Sequence, residues 1–492
     1  MNFRKILITS FLFLMLTSFL PAQSFKPEFL SSETHSEVQL SDWDTEKHYI
    51  AGITGALGFN LCLATYNRYV IGSGWAKTGW EQWDHFWERE LTWDRDWYWT
   101  NFFLHPYQGS MYYMSCRGAN MNPAESMVVT VLGSAFWEYL CECNAPSKND
   151  MIYTTIGSFC VGEMFFRLSQ EAGETSRLLA TAINPTRLWT EQVWRIRQPN
   201  TTGRLYNFDM GVALGNTVAG TKIDGISPSS ATYKSPEVYP VYAGLFLDID
   251  YRDPYTHDSN SPYDQFSLNV QGEIGKGSGE KGLCAYESYD AKLFYNIRIF
   301  SDAMLLARTL NLGENKDTSV GITMIYDFDW HSYYMLSSLA PGFAFKQRIN
   351  FQDSKLLWQA QAGAIILGTE DYFYYHRKVT EIPKGTIRSY SMTTGAEALF
   401  KCRWEKSRGT AVGVNFRGYA MYDFYDQIQT GNESTGWEYV GILTANFEIP
   451  VSKNVSLGAV EEVYGKAALY KKVPDVYQIV NTAKVYAKLK LK

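Results

Sequence analysis

The chain lacks the short signatures that announce most soluble enzymes. It has no G-x-x-x-x-G-K-[ST] loop to cradle a phosphate and no H-E-x-x-H helix to hold a metal. Ser110 and Ser134 are the serines to nominate as nucleophiles, yet neither sits in G-x-S-x-G. None of the seven cysteines, Cys62, Cys116, Cys141, Cys143, Cys160, Cys284 and Cys402, shows the C-x-x-C spacing of a zinc site. Cys141-x-Cys143 is the close pair; the thiols read first as small apolar residues, with a disulfide left open in an oxidising compartment. Excess positive charge is missing too: the formal net charge is −6, so nothing calls for nucleic acid.

What is there in abundance is aromatic surface. Aromatics are 16% of the 492 residues, with 34 Tyr and 15 Trp, a composition common where side chains sit at a membrane–water boundary. Residues 1–22 read as a secretory signal peptide: Arg4 and Lys5 precede the apolar run Ile6 to Leu20, and Leu20-Pro21-Ala22 offers a small residue for cleavage. No Cys follows the cut, which argues against a lipoprotein. Residues 23–47 are polar and aperiodic and read as a flexible mature N-terminus.

Residues 48–200 read as a helical domain. Tyr49 to Ile71 is just long enough to span a bilayer, but Asn60, Asn67 and Arg68 favour a helix packed on protein, with Gly52, Gly55 and Gly58 as a smooth face. Trp75, Trp80, Trp83, Trp87, Trp93, Trp97 and Trp99 are interleaved with acids and arginines, which suits either an interfacial layer or an amphipathic cap on a core. Residues 124–143 form a further helix with Glu138 and Glu142 on one face. Asp150 is placed to cap the next helix, Met151 to about Leu168, in which Glu163 and Arg167 stand i, i+4 before a stop at Gly173. Asn184-Pro185 begins another.

At about residue 200 the period changes to two. Phe266, Leu268, Val270 and Ile274 alternate with Ser267, Asn269, Gln271 and Glu273. Near the end, Val485, Ala487, Leu489 and Leu491 alternate with Lys484, Lys488, Lys490 and Lys492. Strands of about ten residues with one apolar and one polar face predict a membrane β-barrel over 201–492, with about twelve strands. Pro450 to Asn454 reads as a short turn, Gly368 to Thr386 and Tyr425 to Trp437 as longer outer connections. A secreted β-sandwich alternates in the same way and is the alternative; Lys492 at the end, where many outer-membrane barrels carry an aromatic, speaks for it. The fold class expected is α+β: an aromatic-rich helical domain, then an antiparallel transmembrane β-barrel.

The deliberately placed polar residues cluster between Trp97 and Arg167. His105-Pro106-Tyr107-x-Gly109 is followed by Tyr112-Tyr113 and Arg117, then Trp137-Glu138, Pro146-Ser147-x-x-Asp150, and Gly162-Glu163 with Arg167. In this order and spacing, about residues 75–170 resemble a bacterial family catalogued as domain of unknown function 3943 (DUF3943). The resemblance implies an envelope protein of Gram-negative bacteria and supplies domain limits but no catalytic residues.

Two readings of this stretch follow. In the structural one, Glu138 and Glu142 pair with Arg117 or Arg167, Glu163 joins that network, and His105 caps a turn before Pro106. In the chemical one, His105 serves as acid or base with Glu138, Glu142, Asp150 or Glu163, or a His with two carboxylates holds a divalent metal. The spacing matches no known metal helix, so neither a metal nor another cofactor is expected. The function expected is an outer-membrane barrel whose helical domain plugs, gates or props it in envelope transport or integrity. The alternative is a membrane-anchored envelope enzyme acting on lipid or glycan. The partner expected is outer-membrane lipid, with a lipid or small-molecule ligand left open.

Overall fold

The computed structural model describes residues 46–94, 96–197, 200–223, 241–276, 293–371, 390–425, 435–471 and 474–492. The expected signal peptide over 1–22, nearly all of the expected flexible segment 23–47, Cys284 and most of the connections 368–386 and 425–437 lie outside the described residues.

The second half is a closed barrel. Twelve antiparallel strands follow one another: β1 Leu205–Ile223, β2 Val241–Tyr251, β3 Gln265–Lys276, β4 Leu293–Asn311, β5 Lys316–His331 and β6 Met335–Asn350. β7 Ser354–Glu370, β8 Thr393–Lys406, β9 Ala411–Asp423, β10 Gly436–Pro450, β11 Val455–Tyr470 and β12 Val476–Lys490 complete it. β1 pairs with β12 from Asp209↔Lys490 to Ile223↔Val476, which closes the sheet and rules out a sandwich. Every strand then has two neighbours, so no backbone edge faces the membrane.

Period-two sequence decides which side chains fill the lumen. Arg298 on β4 reaches Glu462 on β11 at 2.7 Å, and Arg417 on β9 reaches Asp327 and Asp329 on β5 at 2.6 and 3.0 Å. Lys466 on β11 meets Glu370 on β7 at 3.3 Å. These strands are not neighbours, so the pairs cross the interior. Tyr334 stacks on Tyr464 with ring centroids 4.0 Å apart, adding an aromatic layer. The alternating positions point out, where Val212, Leu214, Val241, Phe343, Ile479 and Val485 are exposed apolar residues. Such a band suits a transmembrane barrel.

The two ends differ. Where β1 begins and β12 ends, the connections 312–315, 351–353, 407–410 and 451–454 are tight, and 252–264 is longer. The longer connections 224–240, 277–292, 371–392 and 424–435 all lie at the other end, with the short 332–334 and 471–475. In outer-membrane barrels the end with the longer loops faces outward.

The helical half contains α1 (Tyr49–Thr65, continued by the π-helical Tyr66–Ile71), α2 (Trp80–Asp84), α3 (His105–Gly118, entered through Thr100–Leu104) and α4 (Pro123–Phe136, continued by Trp137–Cys141). Then come α5 (Lys148–Ile152, running into Tyr153–Gly157), α6 (Ser158–Gly173) and α7 (Arg177–Ile183). Asn122 starts α4 with a capping box: its side chain accepts from the Glu125 N–H, while Glu125 accepts from the Asn122 N–H. Gly173 ends α6.

Small residues let these helices approach. A Cβ on Gly109 of α3 would stand 2.1 Å from the Thr154 carbonyl oxygen, and one on Gly55 of α1 would stand 1.9 Å from Ser115 Oγ. Gly52 likewise abuts Cys116 and Met121, whereas Gly58 faces open space. α1 with its π-helical turn is long and apolar enough to cross a membrane. One side packs on α3 and α4, where the buried Asn60 donates to the Gly133 carbonyl of α4, and the other exposes Ile50, Ile53, Leu61 and Val70.

The helical domain sits against the outside of the barrel. Tyr98 stacks on Phe328, Trp99 packs on Trp330, and the Tyr326 hydroxyl donates to the Phe102 carbonyl. Tyr326, Phe328 and Trp330 alternate along β5 with the inward Asp327 and Asp329, so they belong to the outward face. Ile249, Tyr251, Phe266, Leu268, Leu339 and Leu367 are outward positions buried in the same core. The expected plug is therefore corrected: the domain covers outward-facing aromatics that alternate with the acids of the lumen, and the lumen is crossed by the strands' own side chains.

Candidate functional site

Two polar clusters lie in the helical domain, and they differ in charge balance. The first centres on Glu163, which is fully buried in α6. Arg117 Nε donates to Glu163 Oε2 at 2.8 Å and Arg167 Nε to Oε1 at 2.9 Å, while the Tyr113 hydroxyl donates to Oε2 at 2.9 Å. Arg167 also reaches Asp264 at 3.0 Å and the Pro262 carbonyl at 2.9 Å, which ties the helices to the β2–β3 connection. Each charge here has an opposite neighbour.

The second cluster lies at the end with the longer loops. Trp93 packs on Phe424 and Tyr425 beyond β9, and Asn101 bonds both Asp94 and the Tyr390 hydroxyl just before β8. The cluster is thus level with the strand ends, outside the spanning segments. His105 enters from the start of α3, Glu138 from the end of α4, and Asp150 from α5. One donor atom from each lies within 4.8 Å of the others, and all three residues are buried.

Local sequence explains this convergence. Ser147 is the N-cap of α5, its hydroxyl accepting from the Asp150 N–H at 3.1 Å. Asp150 was expected as the cap; it lies instead in the first turn, because the serine three residues earlier takes that position and frees the carboxylate to turn inward. His105 caps nothing: its Nδ1 lies 3.2 Å from Thr154 Oγ1 and its Nε2 3.5 Å from Asp150 Oδ2. Glu138 was expected to pair with an arginine; its Oε2 accepts the Ser147 N–H at 2.8 Å instead. Its Oε1 is buried and has no hydrogen-bond partner among the described residues. Glu142 likewise bonds the Trp137 indole N–H at 2.7 Å. Arg117 and Arg167 are both committed to Glu163, which removes them as partners.

Asp94 completes the cluster, and the sequence reading passed it over among the charges between the tryptophans. It accepts from Asn101 and Asn149 at 2.8 Å each and is in hydrogen-bond contact with the Asp150 carboxyl. Asn149, immediately before Asp150, was the available signal. Burial drives the titrations here. Burial and the nearby Asp94 charge hold Asp150 well above the carboxylate range; burial and Glu142 do the same to Glu138. Burial and the Asp96 charge push Glu142 up to about 8, and burial pushes the His105 imidazole down to about 4. Asp94, Glu138 and Asp150 thus gather around a neutral imidazole, with Glu142 beside Glu138.

Segment 80–94 lies over this end of α4. The Trp83 indole donates to the Leu140 carbonyl, Arg89 donates to the Tyr139 carbonyl, and Thr92 pairs with the Pro146–Lys148 stretch. Trp80 and Trp87 are 75% and 64% exposed, which suits an interfacial layer. On the outward barrel face, an apolar concavity of about 1010 Å³ is lined by residues including Leu245, Ile274, Tyr295 and Trp330. Inside the barrel, a polar vestibule of about 980 Å³ includes Asp209, Glu448, Lys401 and Lys488 and reaches the Arg298 and Arg417 pairs.

Residues 90–188 match the family model described as Domain of unknown function (DUF3943), which covers all the cluster residues and ends beyond the expected 75–170. No curated protein sequence matches the chain. Among solved structures, a FadL homologue of Pseudomonas aeruginosa is similar at 8% identity and a TM-score of 0.24, covering 58% of this chain and 91% of that one. The DcaP outer-membrane channel of Acinetobacter baumannii gives 10%, 0.22, 57% and 96%. Outer-membrane phospholipase A from Escherichia coli gives 10%, 0.23, 58% and 94%.

Proposed function

We propose that this is an outer-membrane protein whose barrel is an anchor, and whose helical domain is an envelope enzyme acting on lipid or glycan through His105, Glu138 and Asp150. The observation that carries the reading is the second cluster: buried acids without arginine partners converge on a neutral imidazole at the outward end of the domain. A neutral His105, held by Thr154, accepts a proton, while a carboxyl kept protonated by burial donates one. The exposed tryptophans over the cluster and the apolar concavity on the lipid-facing wall favour a lipid. Ion pairs across the lumen argue against a pore, since an open path would require Arg298 to leave two carboxylates.

The test is complementation of a deletion strain by His105→Ala and Glu138→Gln separately, with mass spectrometry of outer-membrane lipids. Both variants should assemble heat-modifiable barrels and leave the lipid profile of the deletion. Full complementation by both would end the enzymatic reading. The Glu163 network favours a second reading, a scaffold for envelope integrity, because it fastens α3 and α6 to the β2–β3 connection. On that reading Glu163→Gln fails to complement while the other two succeed.

A further inference from the structure

We propose that His105, Glu138 and Asp150 form a binding site for one divalent transition-metal ion. This deepens the reading of the same cluster as the working site and stands on geometry; a bound ion would occupy His105 Nε2 and the two carboxylates, which would then no longer exchange protons themselves. One ligand atom of each residue lies within 4.8 Å of the others, and each residue has a second polar atom held by the protein. His105 Nδ1 contacts Thr154 Oγ1, which leaves Nε2. Asp150 Oδ1 accepts from Asn149 Nδ2 at 2.9 Å, its carboxyl also contacts Asp94, and its Oδ2 lies 3.5 Å from that Nε2. Glu138 Oε2 accepts from Ser147, which leaves the buried, unpartnered Oε1.

Donors around a tetrahedral zinc at ~2.1 Å stand about 3.4 Å apart. The His105–Asp150 separation already meets this, and a set within 4.8 Å reaches it by sub-ångström shifts of side chains. One imidazole with carboxylate oxygens suits zinc or manganese, not copper(I) or an iron–sulfur cluster. Outer partners on every ligand are what a metal site needs to fix orientation. A dication also supplies positive charge beside Asp94, Glu138 and Asp150, whereas Arg89 already acts on Glu142.

The experiment uses the full-length protein in detergent, stripped with a chelator and titrated with Zn²⁺ alone, with bound metal counted by mass spectrometry. One equivalent should bind, and X-ray absorption should show a nitrogen and oxygen shell at about 2.0–2.1 Å. His105→Ala and Asp150→Asn should weaken binding at least tenfold, whereas Glu461→Gln on β11 should not. Thr154→Val keeps every ligand and guards against misfolding; loosening the imidazole should cost about 10- to 100-fold in affinity. Equal binding by wild type, His105→Ala and Asp150→Asn overturns the proposal. So does a sulfur shell at about 2.3 Å, which would assign the ion to Cys141 and Cys143. Metal content needs no substrate, so failure here is distinct from failure of the lipid assay: an active metal-free protein ends this inference alone.

Discussion

Glu163 and Glu138 are both buried glutamates in one helical domain, at 0% and 2% exposure, and their surroundings are opposite. Glu163 is held by two guanidinium groups and a phenol and stays ionised as part of a balanced network. Glu138 faces other carboxyls, accepts one backbone N–H and leaves an oxygen without a partner. A protein that buries a charge for structure supplies its counter-charge at once. One that gathers like charges and withholds the counter-charge has built a place for a proton or a cation. The contrast separates scaffold from site within about thirty residues, where sequence alone shows only a string of conspicuous acids.

The largest effect should come from breaking the balanced side. Glu163→Gln leaves Arg117 and Arg167 buried against a neutral amide, and loss of a buried partner costs about 3–5 kcal/mol. Urea unfolding followed by tryptophan fluorescence should show it, with the helical domain lost before the barrel. An unchanged midpoint would mean that water reaches these arginines.

The unbalanced side should respond to pH, and the sign follows from linkage. Glu142 titrates near 8 in the fold and near 4.5 unfolded, so between those values the unfolded state releases a proton that the fold retains. Through Glu142, stability of the metal-free helical domain should therefore fall as pH rises from about 5 to about 8, and Asp150 and Glu138, also held high by burial, act in the same direction. His105 works in the other direction: with a folded value of about 4, its neutral form adds stability as pH rises from about 4 to about 6.5. Glu142→Gln should make the slope shallower above pH 6.5, where His105 no longer contributes. A slope unchanged in that variant would assign the effect elsewhere.

A smaller effect tests how much of the balanced side is geometry and how much is charge. Arg117→Lys keeps the cation but loses the fork that places Nε and Nη2 on Glu163, along with the bond to the Met121 carbonyl. With Arg167 still in place, the cost should be about 1–2 kcal/mol in the same unfolding assay. A loss as large as that of Glu163→Gln would show that Arg167 alone cannot hold the carboxylate.

The barrel was legible because its signal is repeated: twelve strands each alternate, and a lumen-facing Lys484 or Glu273 beside a lipid-facing Val485 or Ile274 leaves little choice of fold. The Glu163–Arg167 spacing was legible because a helix turns contacts into i, i+4 pairs. Domain placement was not, since Phe328 and Trp330 read equally well as lipid-facing or as a seat for another domain. The partners of Glu138 were hidden for another reason: they come from three helices, and Ser147 competes with Asp150 for one cap. Only geometry shows which oxygen was left over.

The smallest effect sharpens the contrast most. Glu138→Gln keeps the shape and the bond from Ser147, and it places an amide donor where Oε1 now faces carboxyls. In metal-free protein the carboxyl it replaces is held protonated by burial and the Glu142 charge, so stability should change by less than about 1 kcal/mol, toward greater stability only where pH is high enough to ionise Glu138. The same variant should lose high-affinity Zn²⁺ binding. Two buried glutamates, one isosteric change, and costs of about 3–5 against about zero would mark Glu163 as framework and Glu138 as site. Equal costs at both positions would mean that Glu138 has a structural counter-charge after all, and the distinction between the clusters would fall.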